Sequence, residues 1–295
     1  MSDSRLPLKP ILALMGLSVI FGSNWAIVKL GTQDFAPFFL AATRSVIVSF
    51  CLYIWISLKK IPLFPSRLIL FHGIMVGLLF GAQFALLYSG LKITLASRTY
   101  VLLFTAPFFT AVGAHFFLQG DRLGLNKVIG LCLAFGGTLV LFLRGLGQLS
   151  LDTLPGDLMI LAAGAVWGAH TVYIKKYLFE RTGTLQVLFY SVFFSAPLLL
   201  GLSLIFENPM IIGVTWIGVF SVFWQSIVIA FLCYLGWFEL IRRYPVSLIH
   251  AFSYFTPVFG VLISGALIMK EDITINLIIA LVMVSLGMVL INRRG

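Results

Sequence analysis

The stretch FGSNWAIVK at 21–29 returns as WGAHTVYIK at 167–175, and FTAPFFTAVGAHFFLQGDRLGLN at 104–126 returns as FTPVFGVLISGALIMKEDITIN at 255–276. In the second pair Pro107 answers Pro257, Asp121 answers Glu271 and Asn126 answers Asn276. The chain holds one module twice. Each copy has about five apolar stretches, an odd number, so the second copy enters the membrane from the opposite face. Inverted repeats create a pseudo-twofold axis in the membrane plane and a binding site near mid-depth. That is how a carrier opening to one side and then the other is built.

Composition agrees with a membrane bundle. Sixty per cent of residues are apolar and 10% charged, with a mean hydropathy of +1.07, which excludes an ordinary soluble domain. A spanning helix needs roughly 20 mostly apolar residues. Ten stretches qualify: 10–30, 36–57, 69–91, 98–118, 127–143, 156–176, 185–206, 213–238, 247–268 and 274–291. Their runs are continuously apolar and do not alternate at period two, so helices are expected and a β-barrel is not. The fold class read from this pattern is an all-α integral membrane protein of ten helices in two inverted five-helix repeats. The repeats cover 1–146 and 152–295, and segment 147–151 links them within the longest connection, 144–156, which carries Gly, Ser, Asp and Pro.

The net charge of +10 suggests nucleic acid only until the charges are placed. Of 20 Lys and Arg, 14 fall on the face of the N-terminus, among them Lys59, Lys60, Lys175, Lys176, Arg242 and Arg243. Five fall on the other face (Lys29, Lys92, Arg98, Arg144 and Lys270), and Arg44 lies within a span. Lys and Arg resist translocation, so both termini are expected in the cytoplasm of a multi-pass inner-membrane protein. The basic excess is a topology signal and implies no nucleic-acid partner. Cys51, Cys132 and Cys233 all lie in spans without CxxC spacing, so neither a disulfide framework nor a metal site is expected. The first apolar run is long enough to span and shows no small-residue cleavage site, so it reads as an uncleaved first helix.

Ten spans in two repeats, with a G-x-N-x-x-x-x-K signature in span 1 (Gly22, Asn24, Lys29) and P-x-x-x-A-x-x-R opening span 2 (Pro37, Ala41, Arg44), resemble a known family. So does a proline in spans 4 and 9 followed by an acid at the helix end (Asp121, Glu271). The resemblance is to the EamA family of the drug/metabolite transporter superfamily, over nearly the whole chain. It implies that spans 1–4 and 6–9 surround a central cavity while spans 5 and 10 stand apart. It also implies movement of small metabolites, often export of amino acids and their derivatives. The chain departs from the family in having Asp121 where Glu is expected, and His115 and Gln119 make that helix end more polar than usual. These departures leave the substrate open.

Polar groups at membrane depth are costly, about 2.5–3.5 kcal/mol for a central charge, and therefore need partners or a wet cavity. Arg44, eight residues into span 2, either snorkels to an interface or attracts a carboxylate through its bidentate fork. In the second copy Tyr190 or Ser191 takes its place, so the site is electrically asymmetric. Asn24 and His170 are repeat partners, suited either to contact substrate from opposite sides or to bond between helices. Gln83 and Gln225 near mid-depth offer uncharged amides for a polar ligand. Tyr100, Trp224 and Tyr254 are expected along the path because each carries a polar handle. Trp25 and Trp167 are less distinctive, and Trp55 and Trp216 fit the interfacial belt. Most of the 28 Phe are expected to face lipid. Pro107 and Pro257 are expected to kink spans 4 and 9, and gating is expected to use the kinks.

No Asp or Glu sits well inside a span. This argues against a cationic-drug pump and for a neutral, zwitterionic or anionic substrate. Proton coupling through His115, His170 or His250 stays open, because histidine titrates near neutrality. There is no P-loop, HExxH, GxSxG or paired intramembrane carboxylate, so neither an ATP motor nor an enzyme is expected, and no cofactor. The partners expected are a small-molecule substrate and the lipid bilayer; the sequence leaves monomer and homodimer open. The function read from these features is transport of amino acids or their derivatives by alternating access. The alternative is uptake or antiport of an organic anion or nucleotide-linked metabolite, with Lys29, Lys92 and Arg98 adding charge at the mouth. A scaffold or intramembrane enzyme is a more distant reading.

Overall fold

The computed structural model describes residues 6–143, 146, 150–263 and 275–292. Arg5, Arg144, Lys270, Glu271, Asp272, Arg293, Arg294 and most of the 147–151 linker lie outside the described residues. The rest forms ten helical spans: α1 Leu8–Gly31, α2 Pro37–Leu58, α3 Arg67–Leu91, α4 Ala96–Phe117, α5 Leu125–Phe142, α6 Leu154–Leu178, α7 Thr184–Phe206, α8 Trp216–Arg243, α9 Val246–Ile263 and α10 Ile275–Ile291. Among the described residues the first nine are long and apolar enough to cross a membrane, while α10 is a shorter apolar helix of 17 residues. All-helical architecture follows from the solvent: hydrocarbon offers no hydrogen bonds, so each backbone group must find its partner within the segment.

Association of the helices follows from small residues, since lipid tails are as apolar as the side chains and give no hydrophobic drive between helices. Gly73, Gly77 and Gly81, one helical turn apart, lay α3 against Tyr190, Phe194 and Ser195 of α7. Gly22 of α1 touches the backbone of α9, where an added Cβ would lie 2.7 Å from both Gly260 N and Thr256 O. Its repeat partner Gly168 brings α6 onto α4, with Thr110 N 2.9 Å from an added Cβ. Thus α1 crosses to α9 and α6 to α4, the same contact made twice with the halves exchanged. α5 and α10 pack on each other, as small residues at Gly130, Gly137, Ala280 and Gly287 require.

Four helices are irregular. α4 breaks after Leu103 and restarts at Ala106; α9 passes through a 3₁₀ turn at Phe252–Tyr254 and restarts at Phe255. Pro107 and Pro257 therefore stand in the first turn of a new helical segment, not in a helix interior. A first-turn proline forfeits no internal hydrogen bond, because that N–H would have had no helical acceptor. The two repeat-matched breaks precede the prolines. α6 ends in a π-helical turn, Ile174–Leu178, and α8 is π-helical over Trp224–Cys233.

Helix ends are satisfied across the halves. Glu207, after α7, accepts Phe38 N at 2.7 Å and Phe39 N at 2.9 Å and so caps α2. Asp34, after α1, accepts Thr215 N at 3.0 Å and Thr215 Oγ1 at 2.5 Å at the start of α8. Asp121, after α4, accepts Ser247 N at 2.9 Å and the Ser247 hydroxyl at the start of α9, with Lys127 Nζ 2.7 Å away. Carboxylates suit these sites because the helix N-terminus carries free N–H groups and partial positive charge.

Two outcomes are expected. Gly287→Ala puts a Cβ 2.6 Å from the Gly130 carbonyl oxygen. Such overpacking costs about 1–3 kcal/mol, so the thermal midpoint in detergent should fall by several degrees. Gly16→Ala, with nothing within 4 Å, should not lower it. For Asp34, the hydrogen bond from the Thr215 hydroxyl, then that from the Thr215 N–H, holds the carboxyl below its ordinary 3.8. A depressed folded-state pKa contributes stability above the unfolded value and loses it as pH falls through the folded one. Asp34→Asn should therefore lower the midpoint at pH 7 and leave it closer to the parent's near pH 3.

Candidate functional site: a central aromatic cavity with one arginine

The crossing of α1 with α9 and of α6 with α4 leaves a cavity of about 150 Å³ between the halves. Its lining repeats about the pseudo-twofold. Phe84 and Tyr234 are partners under the register that pairs Pro107 with Pro257, as are Tyr88 with Phe238, Leu87 with Trp237, and Leu103 with Ser253. Phe21 with Trp167, Asn24 with His170, and Trp25 with Thr171 are partners under the register of the opening motif. Phe80, Phe84 and Tyr88 rise on one face of α3, and Tyr234 and Phe238 on one face of α8, at the four-residue spacing of helical neighbours. The walls are thus mostly aromatic.

Arg44 breaks the symmetry. It is 2% exposed and lines the cavity, with its guanidinium carbon 4.4 Å from the Phe84 ring centroid. Nε and Nη2 are buried without a hydrogen-bond partner among the described residues. The side chain neither reaches an interface nor leans its whole fork on carbonyls. The Phe84 face supplies a cation–π contact, which leaves the donors unused. No carboxylate among the described residues lines the cavity. Asn24 Oδ1 and the Ser253 hydroxyl, both facing the same space, are also buried without a partner. An arginine fork beside unused acceptors in an aromatic chamber is an environment for a small carboxylate carrying an apolar or polar tail.

The other sequence-derived residues fall around this chamber. His170 lines it, and its Nε2 lies 3.4 Å from Ser191 Oγ of α7. Tyr100 lines a second cavity of about 400 Å³ with Lys29, Gln33, Phe142 and Pro257, and Trp25 borders both spaces. The Trp25 and Tyr100 rings are 4.9 Å apart, a partition between the two spaces. Their repeat partners, Thr171 and His250, meet at 3.4 Å on the other side, where Thr110 Oγ1 also bonds His250 Nδ1 at 2.5 Å. Tyr254 is fully buried behind Phe104, with rings 6.4 Å apart and its hydroxyl unpartnered. Gln83, Trp224 and Gln225 do not line the central chamber. Gln225 Nε2 donates to Ser221 Oγ, which in turn bonds Ile27 O, so this amide belongs to the α8–α1 contact. Trp224 packs on Phe220.

Two expectations change. Arg98, considered for an anionic mouth, is buried and paired with Asp157 of α6, and Thr94 and Thr153 join that cluster. Lys92 lies over the Phe38 ring at 5.2 Å. Of the three mouth cations only Lys29 lines a cavity described here. α5 is not wholly apart, since Phe142 at its end stacks on Tyr100. Phe suits lipid as well as a cavity, so composition alone does not mark the phenylalanines of the lining. The signal was there: Phe84, Tyr88 and Phe21 each have an aromatic repeat partner.

Comparison with known proteins agrees with this architecture. The sequence profile of the EamA-like transporter family matches residues 8–143 and 154–293. The "Uncharacterized transporter YoaV" of Bacillus subtilis (strain 168) is 26% identical over 280 residues, covering 95% of each chain. A "Probable amino-acid metabolite efflux pump" of Escherichia coli (strain K12) is 28% identical, covering 90% of this chain and 88% of its own. The "Uncharacterized inner membrane transporter YedA" of the same strain is 24% identical, covering 93% and 90%. A protein of known crystal structure superposes with a TM-score of 0.82 at 22% identity, over 96% of this chain and 97% of the other, a likeness of fold.

The His250 contacts make a test of how that side of the chamber is held. Thr110→Val keeps shape and removes the short bond to the buried imidazole together with the hydroxyl's bond to Ala106 O, at a cost of about 1–3 kcal/mol. Thr171→Val removes the 3.4 Å contact and the hydroxyl's bond to Trp167 O of its own helix, and should cost less. Unfolding midpoints of the two variants in detergent check the order.

Proposed function

Because the chain belongs to the EamA-like transporter family, we propose that it moves amino acids or amino-acid derivatives across the membrane by alternating access between its two halves, in the direction of export. The observation that carries this reading is Arg44, whose Nε and Nη2 are buried and, among the described residues, unpartnered and beside a cavity without a carboxylate. An arginine fork takes a carboxylate through two parallel charge-assisted bonds. Asn24 Oδ1 is an unused acceptor for the substrate ammonium, and aromatic faces attract the same group. Asn24 and His170 contact the substrate from the two sides of the chamber, and Tyr100 meets it in the adjoining cavity. Gln225 acts through Ser221 on the α8–α1 contact and Tyr254 through its packing on Phe104, and the breaks before Pro107 and Pro257 are where α4 and α9 bend.

Size supports a small cargo. Pockets for drug-sized ligands run to about 300–1,000 Å³, so a chamber of about 150 Å³ favours an amino acid over a nucleotide-linked metabolite. The amino-acid assignment and the export direction also rest on relatives named as probable amino-acid metabolite efflux pumps. With more Lys and Arg on the N-terminal face, the proposed orientation keeps both termini in the cytoplasm.

The test is flux of labelled amino acids, nucleosides and organic acids in proteoliposomes, with and without a pH gradient. Saturable amino-acid flux is expected. Arg44→Ala should weaken substrate binding by about 10- to 100-fold, the worth of one charge-assisted pairing. Arg44→Lys should not restore it, because an ammonium lacks the planar fork. Flux of organic acids without amino acids would replace this substrate class with the alternative. Amino-acid flux indifferent to Arg44→Ala would overturn the role given to that residue.

A further inference from the structure

Lys29 and Lys175 are repeat partners, the last residues of FGSNWAIVK and WGAHTVYIK, yet their surroundings differ. Lys175 Nζ donates to three carbonyls where α8 ends: Ile241 O at 2.8 Å, Arg242 O at 2.6 Å and Tyr244 O at 3.3 Å. It stops the helix as a cation should, on free carbonyls at the negative end. Lys29 is exposed and lines the 400 Å³ cavity at the opposite face, meeting no carbonyl or carboxylate among the described residues. The register that pairs Pro107 with Pro257 assigns it counterpart carbonyls: those of Leu91, Lys92 and Thr94, at the end of α3.

A second asymmetry coincides with the first. Lys175 stands in the π-helical turn Ile174–Leu178, whereas the equivalent turn around Lys29 is ordinary α-helix. π-turns are rare and concentrate at functional positions. The wider turn accompanies the engaged lysine, and the regular turn the exposed one.

We propose that Lys29 and Lys175 are positioning residues for the transport cycle, each latching one mouth in turn. In the conformation described here Lys175 ties α6 to the end of α8 and holds its mouth shut, while Lys29 stands clear. In the opposite conformation Lys175 leaves α8, and Lys29 takes the carbonyls of Leu91, Lys92 and Thr94. Exchanging one set of three acceptors for its equivalent keeps the two states close in free energy, which a carrier visiting both requires. The inference rests on alternating access and not on the identity of the substrate.

Hydrogen–deuterium exchange on the full-length protein in detergent, without substrate, tests it using Lys29→Met, Lys175→Met and Lys175→Arg. Lys175→Met should speed exchange around 241–247 by at least about tenfold, the worth of one lost charged hydrogen bond, and should slow exchange around 30–34 and 91–97 at the far mouth. Lys29→Met should slow exchange around 241–247, because it removes the competing latch. Lys175→Arg, which keeps a cation, should resemble the parent. Faster exchange confined to 241–247 in Lys175→Met would make the lysine a local cap and overturn the proposal, as would faster exchange at both mouths. A transport defect with unaltered exchange would count against the latch as well. Because no substrate is present, a wrong substrate class leaves this result standing.

Discussion

Hydrocarbon supplies no hydrogen bonds, and the ends of helices are where that lack is felt. Each α-helix leaves four N–H groups and four carbonyls unpaired at its termini. Here three of the carboxylates that meet those N–H groups come from the other half of the chain. Glu207 of the second half caps α2, and Asp34 and Asp121 of the first half cap α8 and α9. These contacts are polar, short and directional, so they fix how the halves meet at both faces. Between the faces, glycine permits the close crossings of α1 with α9 and α6 with α4. The cavity is the space those crossings leave.

Much of this architecture was legible in the sequence. Continuous apolar runs gave spans whose described ends differ from the structure by a few residues, and the doubled motifs exposed the repeat. Helix interruption was legible at Pro107 and Pro257, but its location was not. The sequence marks which residue lacks an N–H, while packing decides that the turn before it is the one that opens. The caps were hidden for another reason. Asp34 and Thr215, or Asp121 and Ser247, are more than a hundred residues apart and meet only after the bundle forms. The side chains lining the chamber divided similarly. Arg44 stood out because a charge in a span demands explanation, whereas Phe84 and Tyr88 did not. Gln83 and Gln225 stand out by polarity alone, yet Gln225 Nε2 donates to Ser221 one turn away on its own helix, and Ser221 in turn bonds Ile27 O of α1.

The two halves share a backbone plan and differ in chemistry. Where one side separates its cavities with Trp25 against Tyr100, the other has Thr171 against His250. Where α2 carries Arg44, α7 carries Tyr190 or Ser191, whose hydroxyls bond Leu63 O at 2.5 Å and Val187 O at 2.9 Å. Pseudo-symmetry sets the positions and the sequence then assigns unequal tasks to them. A carrier gains from this division. Matched backbones let two conformations resemble each other, while mismatched side chains let one orientation of cargo be preferred within the chamber.

The solitary guanidinium has an electrical consequence. Among the described residues the chamber wall carries one fixed positive charge and no negative one. A zwitterion seated there crosses with no net charge of its own, so the membrane voltage does no work on it. A simple anion would gain or lose about 2.3 kcal/mol per 100 mV for each charge moved. Without a coupled ion, the concentration gradient alone would govern a zwitterion at such a wall, and voltage would add to it for an anion.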